Sequence, residues 1–299
     1  MQIKAAFVLF FIIQISIECI HAQCKTTFSS ATDLTFSGLR WSIAGNNEGN
    51  SPNILSELKF NNLVYIGSRL NSELQVKRGM KFSIGFQKAW SANGSGTDMD
   101  YTQNDRTEPT FQSSFDSKHG FLQSFQIGIN IPVLYKRKII ITIGPKYQNT
   151  LQRLDITNPN FNDLNSTYKA EWKGIGLESE IGGRLTKSIN VKGQLCFGFS
   201  KYYGQADWNI ITIFQHPKSF DQRANGWFLN ENISFLYSIN RFLGISISTY
   251  YNLNRSDKGV DKSYLKNGNL LTTRFNGVTA HNYGVALGAI LTIGENDRH

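Results

Sequence analysis

The sequence is poor in cysteine, proline and charge, and each shortage excludes a class of protein. Three cysteines among 299 residues are too few for a disulfide scaffold or for a zinc site built from several cysteines. Charged residues make up 18% of the chain, below the ~25% of an average soluble domain. Six prolines and 26 glycines exclude a collagen-like chain, which needs glycine at every third position. What remains is a chain with 13% aromatic residues and a net charge of +9.

Long apolar runs are also missing, except at the N-terminus. Residues 1–22 combine Lys4, an apolar stretch at 5–17 and the small residue Ala22, which is typical of a secretory signal peptide. The stretch is shorter than the ~20 residues of a transmembrane helix. Cleavage after Ala22 would leave residues 23–299 as the mature domain. A secreted chain without a second long apolar run is either soluble or a membrane β-barrel.

Apolar and polar residues alternate with a period of two through most of the mature chain. In residues 189–203 the odd positions are mainly apolar and the even positions mainly polar. Residues 56–76 place Leu58 and Phe60 on an apolar face. About ten segments of this kind predict an all-β fold, an antiparallel transmembrane β-barrel of about ten strands. Charged residues of the opposite parity are predicted to fill its lumen: Glu57, Lys59, Arg69, Glu73, Glu178, Glu180 and Arg184.

The connections between these segments alternate in length. Short basic turns are predicted at 77–79, 135–138, 186–188 and 240–241, and long polar loops at 45–55, 92–112, 156–167, 205–220 and 255–275. Short periplasmic turns and long extracellular loops are typical of barrels in the outer membrane of Gram-negative bacteria. Aromatic residues near strand ends, such as Trp41, Trp90 and Tyr237, are predicted to form an interfacial girdle.

The stretch SELKFNN at 56–62, after a polar loop with Pro52, resembles the omptin family of outer-membrane proteases. The resemblance implies a ten-stranded barrel with its active site in a groove at the extracellular rim. There, an Asp-x-Asp pair in the second long loop would face an Asp-x-His pair in the fourth, and a water between them would attack the peptide bond. More weakly, the chain resembles the Protochlamydia-type outer-membrane proteins, which are barrels of similar length.

Only the first half of the omptin pattern is complete. Asp98 and Asp100 match the Asp-x-Asp pair, whereas Asp207 is followed by Asn209 where the resemblance implies a histidine. An amide cannot take a proton from water, so His216, nine residues after Asp207, is the candidate replacement base. Odd residues of this strand are predicted to face lipid. Asp207 and Asn209 would therefore point inward only after a β-bulge.

Three functions stay open at this point: a surface barrel with impaired proteolysis and a binding or structural role, an active aspartyl endopeptidase of the omptin type, and a small porin-like channel. The expected partners are outer-membrane lipid and a peptide or protein ligand at the extracellular rim. Basic residues near that rim are candidates for the phosphates of lipopolysaccharide: Lys201, Arg223, Arg255 and Arg274. The sequence predicts no nucleic-acid partner, cofactor or metal, because it carries no motif for them.

Overall fold

A computed structural model of the chain describes residues 24–76, 79–136 and 139–294. The predicted signal peptide at 1–22 and parts of two predicted turns lie outside the described residues. No helix among the described residues is long and apolar enough to span a bilayer. The described residues form twelve strands: β1 (Lys25–Ile43), β2 (Ser56–Gln75), β3 (Lys81–Tyr101), β4 (Pro109–Asp116), β5 (Phe121–Lys136), β6 (Ile139–Asn158), β7 (Phe161–Arg184), β8 (Ile189–Asp207), β9 (Phe220–Ser238), β10 (Leu243–Ser256), β11 (Gly259–Tyr264) and β12 (Leu270–Ile293).

The twelve strands form one antiparallel sheet that closes into a ring. The last strand, β12, pairs with β1 from Thr26↔Ile293 to Ile43↔Phe275. Strands β4 and β5 both pair with β3 and β6, and β10 and β11 both pair with β9 and β12. Each of these two couples therefore occupies one position, and the ring has ten positions. The predicted fold class, an antiparallel β-barrel of about ten strands, is confirmed.

One half of the barrel carries apolar side chains on its outer wall. Phe199, Ile175 and Leu287 are 72%, 64% and 62% exposed, although all three are large and apolar. Such a surface is stable against lipid and not against water. We call the outward-facing side chains of the following segments the apolar band: 28–36, 66–74, 82–90, 121–133, 139–151, 175–185, 189–199, 227–237, 243–253 and 283–293. These segments have about the length that a tilted strand needs to span a bilayer.

The interior of this same half is polar, as predicted, and ion pairs cross it. Glu73 on β2 pairs with Lys192 on β8, and Lys81 on β3 pairs with Glu180 on β7. Arg69 lies 3.2 Å from a carboxylate oxygen of the buried Asp33. These groups, Asp33 excepted, line a cavity of about 1150 Å³ that extends from the short turns to Gln148 and Tyr250. Below, the end of the barrel that carries the short turns is called the turn end, and the opposite end is called the long-loop end.

The predicted alternation is wrong in the upper part of β2. The pairing of β2 with β3 shifts register between Asn61 and Val64, and such a bulge exchanges the two faces of a strand. Leu58 and Phe60, predicted on the lipid side, therefore face the interior and are 0% and 1% exposed. Glu57 and Lys59, both predicted to face the lumen, lie on the outer face instead.

Much of the predicted long loops is strand. Strand β3 continues to Tyr101, so Asp98 and Asp100 lie in a strand and not in a loop spanning 92–112. The predicted loop at 156–167 is a tight hairpin, because β6 ends at Asn158 and β7 begins at Phe161. The parts of the strands beyond the apolar band have polar outer faces, so from sequence alone they look like polar loops. They raise the barrel wall beyond the apolar band at the long-loop end.

Candidate functional site

The interior at the long-loop end is filled by apolar and aromatic side chains, which we call the long-loop core. The ring of Trp41 on β1 lies 5.7 Å from that of Tyr168 on β7 and 5.7 Å from that of Phe220 on β9. Tyr202 on β8 stacks on Phe275 on β12, with ring centroids 5.7 Å apart and planes 10° apart. Trp41, predicted for the interfacial girdle, is thus an interior residue, only 4% exposed. The core joins opposite walls and fills the interior above the apolar band.

Asp98 and Asp100 are on the inner face of β3, at the edge of the long-loop core. Asp98 pairs with Leu58, and Asp100 pairs with Ser56, so the carboxylates share the face of the fully buried Leu58. Burial, with a smaller contribution from the nearby Asp100, raises the pKa of Asp98 to about 7. Burial also raises the pKa of Asp100, and a hydrogen bond from Ser56 opposes that shift. The two carboxyls are therefore an acidic pair in which burial favours the protonated form, most strongly at Asp98.

Asp207 and His216 form a carboxylate–imidazole pair at this end. The Nδ1 atom of His216 lies 2.7 Å from Oδ1 of Asp207, so the loop between β8 and β9 folds back onto the end of β8. Both side chains are partly exposed, at 32% and 26%. Asp207 pairs with Thr167 with no register shift along β7 and β8. It therefore lies on the outer face, opposite to its buried neighbour Ala206.

Asn209, at the position of the implied histidine, ties the loop after β8 to β7. Its Oδ1 accepts hydrogen bonds from the backbone N–H of Asn165 and from the hydroxyl of Ser166, both at 2.9 Å. Its Nδ2 donates to the backbone carbonyl of Asp163 at 2.7 Å. An amide has the donors and acceptors for these contacts. The side chain holds the loop and leaves no lone pair directed at a substrate.

The structure thus brings together the members of each pair but not the two pairs. Within the described part of the chain, no hydrogen bond or ion pair joins Asp98 or Asp100 to Asp207 or His216. The first pair lies on the inner face of the wall, and Asp207 lies on the outer face of another strand. A water held between a carboxylate and a general base must contact both. The side chains of the two pairs therefore point to different faces of the wall.

A further acidic group at this end was not singled out from the sequence. Asp261 on β11 pairs with Gln222 on β9, and Nε2 of Gln222 donates to its Oδ1 at 3.0 Å. Gln222 also accepts a hydrogen bond from Tyr168 at 2.6 Å. Burial raises the pKa of Asp261 to about 7. The alternation of polar and apolar residues in β11 could have indicated that Asp261 faces the interior, but this segment lies inside a predicted loop.

The loops around the rim hold one another. Arg106 donates two hydrogen bonds to Glu57, with its Nη2 at 2.7 Å from Oε2. Burial opposes the ionisation of Glu57, but the hydrogen bonds from Arg106 and Lys59 outweigh it and lower its pKa. Arg274, predicted to meet lipopolysaccharide, donates to the backbone carbonyls of Glu48 and Gly49. The described residues contain no cluster of His, Cys, Asp or Glu suited to a metal ion.

Comparison with known families decides to which one this barrel belongs. The family model of the Protochlamydia outer membrane protein (Pom) matches residues 37–292, which is most of the chain. The chain belongs to the Protochlamydia outer membrane protein family. It is therefore an outer-membrane β-barrel, as predicted, and of the two resemblances in its sequence the weaker one identifies the family. A comparison with curated proteins finds no match.

The omptin resemblance holds for the fold of this Pom-family member. The outer membrane protease OmpT of Escherichia coli has a similar structure with a TM-score of 0.70 at 11% identity, covering 90% of this chain and 97% of that chain. The translocator domain of the autotransporter NalP of Neisseria meningitidis gives a TM-score of 0.39 at 10% identity, covering 94% and 95%. The toluene transporter TodX of Pseudomonas putida gives 0.30 at 9% identity, covering 87% and 89%. The last two scores are too low to indicate a shared fold.

Proposed function

We propose that this barrel is a surface protein without proteolytic activity, with a binding or structural role at the long-loop end. One observation carries the proposal: the acidic pair Asp98 and Asp100 faces the interior, whereas Asp207, with His216 bound to it, lies on the outer face. Hydrolysis of a peptide by a carboxylate-activated water needs the acid and the base on one side of one substrate. Asn209 is occupied with loop contacts and supplies no base.

An active endopeptidase is the second candidate, and the contact between Asp207 and His216 favours it. A carboxylate at 2.7 Å orients an imidazole and makes it a better base. What counts against it is that no hydrogen bond or ion pair among the described residues joins this dyad to a second carboxylate. A porin-like channel is the third candidate, and the ion pairs and the long-loop core inside the barrel oppose it.

The proposal includes an orientation and a lipid partner. We place the long loops outside the cell and the short turns in the periplasm. Lys173 and Lys201 then lie directly opposite each other on the outer wall, just above the exposed Ile175 and Phe199. Lys173 is paired with Glu171 at 2.9 Å, whereas Lys201 has no carboxylate partner among the described residues. Phosphates of lipopolysaccharide at this level would pair with Lys201, and Arg223 and Arg255 are exposed nearby.

The function is tested by incubating the folded protein, in detergent with lipopolysaccharide, with peptides that contain dibasic sites. We expect the rate of cleavage to equal that of the Asp98→Ala and His216→Ala variants and of buffer. If the unmodified protein cleaves and either variant does not, the proposal is wrong, and the variant that fails identifies the catalytic residue. Orientation is tested by labelling Asn267→Cys on intact cells, with Lys187→Cys in an exposed short turn as the periplasmic control. Labelling of Lys187→Cys and not of Asn267→Cys would mean that the barrel has the opposite orientation.

A further inference from the structure

One carboxylate interrupts the apolar band. Glu231 is on β9, directly opposite Leu195 of β8 and Tyr251 of β10. These partners share its face, and Leu195 is 49% exposed on the lipid side. Glu231 is exposed as well, so it points away from the lumen.

Glu231 lies near the middle of its membrane-spanning segment. The outward side chains of β9 run from Trp227 to Tyr237, an eleven-residue stretch within β9. Ile233 and Phe235, on the side of the short turns, are 49% and 46% exposed. A strand of this length spans the hydrocarbon layer, and Trp227 and Tyr237 are suited to its two interfaces. The carboxylate is therefore two outward positions below the upper interface.

Neither the described chain nor lipid gives this carboxylate a partner. No hydrogen bond or ion pair is formed by the Glu231 side chain within the described residues. Acyl chains offer no donor, and ionisable groups on a lipid-facing wall are rare because they are costly there. The missing partner must itself reach into the membrane and carry a positive charge or a strong donor.

The same outer wall carries one such group. Lys88 points outward from β3, between Phe86 and Trp90, which are 41% and 58% exposed. Its ammonium lies over the ring of Phe121 and donates to Gln123 at 3.3 Å. Among the described residues it has no carboxylate partner. Of the outward-facing described side chains in the apolar band, Glu231 and Lys88 are the two that carry a charge.

The positions of the two residues on the ring are complementary. With β4 and β5 counted as one position, and β10 and β11 as another, β3 and β9 are five of ten positions apart, on opposite sides of the barrel. Lys88 is one outward position below Trp90, and Glu231 is two below Trp227. The long flexible stem of a lysine spans that difference in depth.

We propose that a second copy of this chain covers the β9 wall and that its Lys88 pairs with Glu231 inside the membrane. The contact is head-to-tail, because each copy uses β9 on one side and β3 on the other. Since the two surfaces lie on opposite sides, the contact does not close into a small ring, and copies align in rows. The inference uses the barrel and its apolar band, and it does not depend on the function proposed above.

Disulfide trapping in outer membranes tests the contact. Chains carrying Glu231→Cys and chains carrying Lys88→Cys, with different tags, are expressed together and oxidised. We expect a disulfide-linked dimer that contains both tags, and no such dimer when either variant is expressed alone or when the unmodified chain is oxidised. Leu287→Cys, at a lipid-facing site on β12, is the matched control and should not link to Lys88→Cys.

Each other outcome overturns the proposal. A dimer formed by Glu231→Cys alone would mean that β9 meets β9 in a two-fold contact. The absence of any linked dimer from correctly folded chains would mean that Glu231 faces lipid. Because a charge change at this depth affects insertion, folding of every variant is verified by the faster migration of unheated barrels on gels. Glu231→Gln or Lys88→Gln alone should abolish the rows of copies. A chain that carries both Glu231→Lys and Lys88→Glu should form them again. If this exchanged variant does not form rows, the proposed pair is wrong.

Discussion

Phe60 of β2 stacks against Tyr168 of β7, with ring centroids 6.2 Å apart and planes 25° apart, although the two strands are four positions apart in the ring. The contact therefore runs through the interior and not along the wall. Both side chains are fully buried, at 1% and 0% exposed, and they fill the interior at the long-loop end.

Replacing Tyr168 tests the energetic role of this contact. Tyr168→Ala removes a fully buried ring and should lower the free energy of unfolding by about 3–5 kcal/mol. Tyr168→Phe keeps the ring and loses the hydroxyl that donates to Gln222 at 2.6 Å, which should cost about 1 kcal/mol. Urea unfolding in lipid vesicles, followed by tryptophan fluorescence, measures both. Equal losses for the two variants would mean that the stacking contributes little.

The buried acid Asp98 makes stability depend on pH. Its folded-state pKa of about 7 exceeds the ordinary value of 3.8, so between these values the folded protein binds more protons than the unfolded chain. Its contribution to stability is then greatest at low pH and declines as pH rises toward 7. Asp98→Asn should stabilise the protein by about 1–3 kcal/mol near pH 8 and have little effect below pH 4, where the carboxyl is protonated in both the folded and the unfolded chain. The exposed Asp163→Asn is the control, and an equal response of both variants would contradict buried ionisation.

Lys201 lies opposite Lys173, which is already paired with Glu171 at 2.9 Å, so replacing Lys201 tests the proposed contact with lipopolysaccharide. In detergent alone, Lys201→Gln removes a like charge across the strands and should leave the melting temperature unchanged or raise it. With lipopolysaccharide present, the same change should reduce the stabilisation by about 1 kcal/mol. Lys266→Gln, at the exposed tip of the β11–β12 hairpin, is the control. An unaltered gain from lipopolysaccharide in Lys201→Gln would exclude Lys201 from the lipid contact.

Restoring the histidine of the omptin pattern should not restore proteolysis. Asn209→His loses the three hydrogen bonds that join the loop to Asn165, Ser166 and Asp163, a local cost of about 1–3 kcal/mol. We expect faster nicking of the loop at 208–219 by added protease and no peptidase activity. Asn160→His, in the β6–β7 hairpin, controls for the new imidazole. New peptidase activity in Asn209→His would mean that the loop reaches Asp98 after all.

Alternation was sufficient to predict the ring and the apolar band. Within the membrane, side chains of one parity contact lipid and are apolar, and side chains of the other parity face the lumen and are polar. The alternation therefore predicts the number of strands and the outward direction of residues such as Ile175 and Phe199. The prediction failed above the membrane, where the solvent changes. There the apolar side chains turn inward, and the bulge before Val64 exchanges the faces of β2. Nothing in the stretch from Leu58 to Val64 signals such a bulge by period alone.

The sequence predicted which residues could form the site, but not how they are arranged in space. The parity of β8 correctly indicates that Asp207 faces outward without a bulge. The contact between Asp207 and His216 depends on how a loop of a dozen residues folds back, which spacing does not determine. Asp261 was hidden because its short strand, β11, reads as part of a polar loop. Cross-strand pairing, rather than any motif, brings Asp261 to Gln222 and Tyr168.

The most direct test of a barrel closed by its own side chains is single-channel conductance in planar bilayers. The long-loop core fills the interior at one end, and ion pairs between Glu73 and Lys192 and between Lys81 and Glu180 cross the lumen. The unmodified protein should therefore insert without producing stable current steps. Reproducible ohmic steps from the unmodified protein would contradict a closed interior and favour the channel instead.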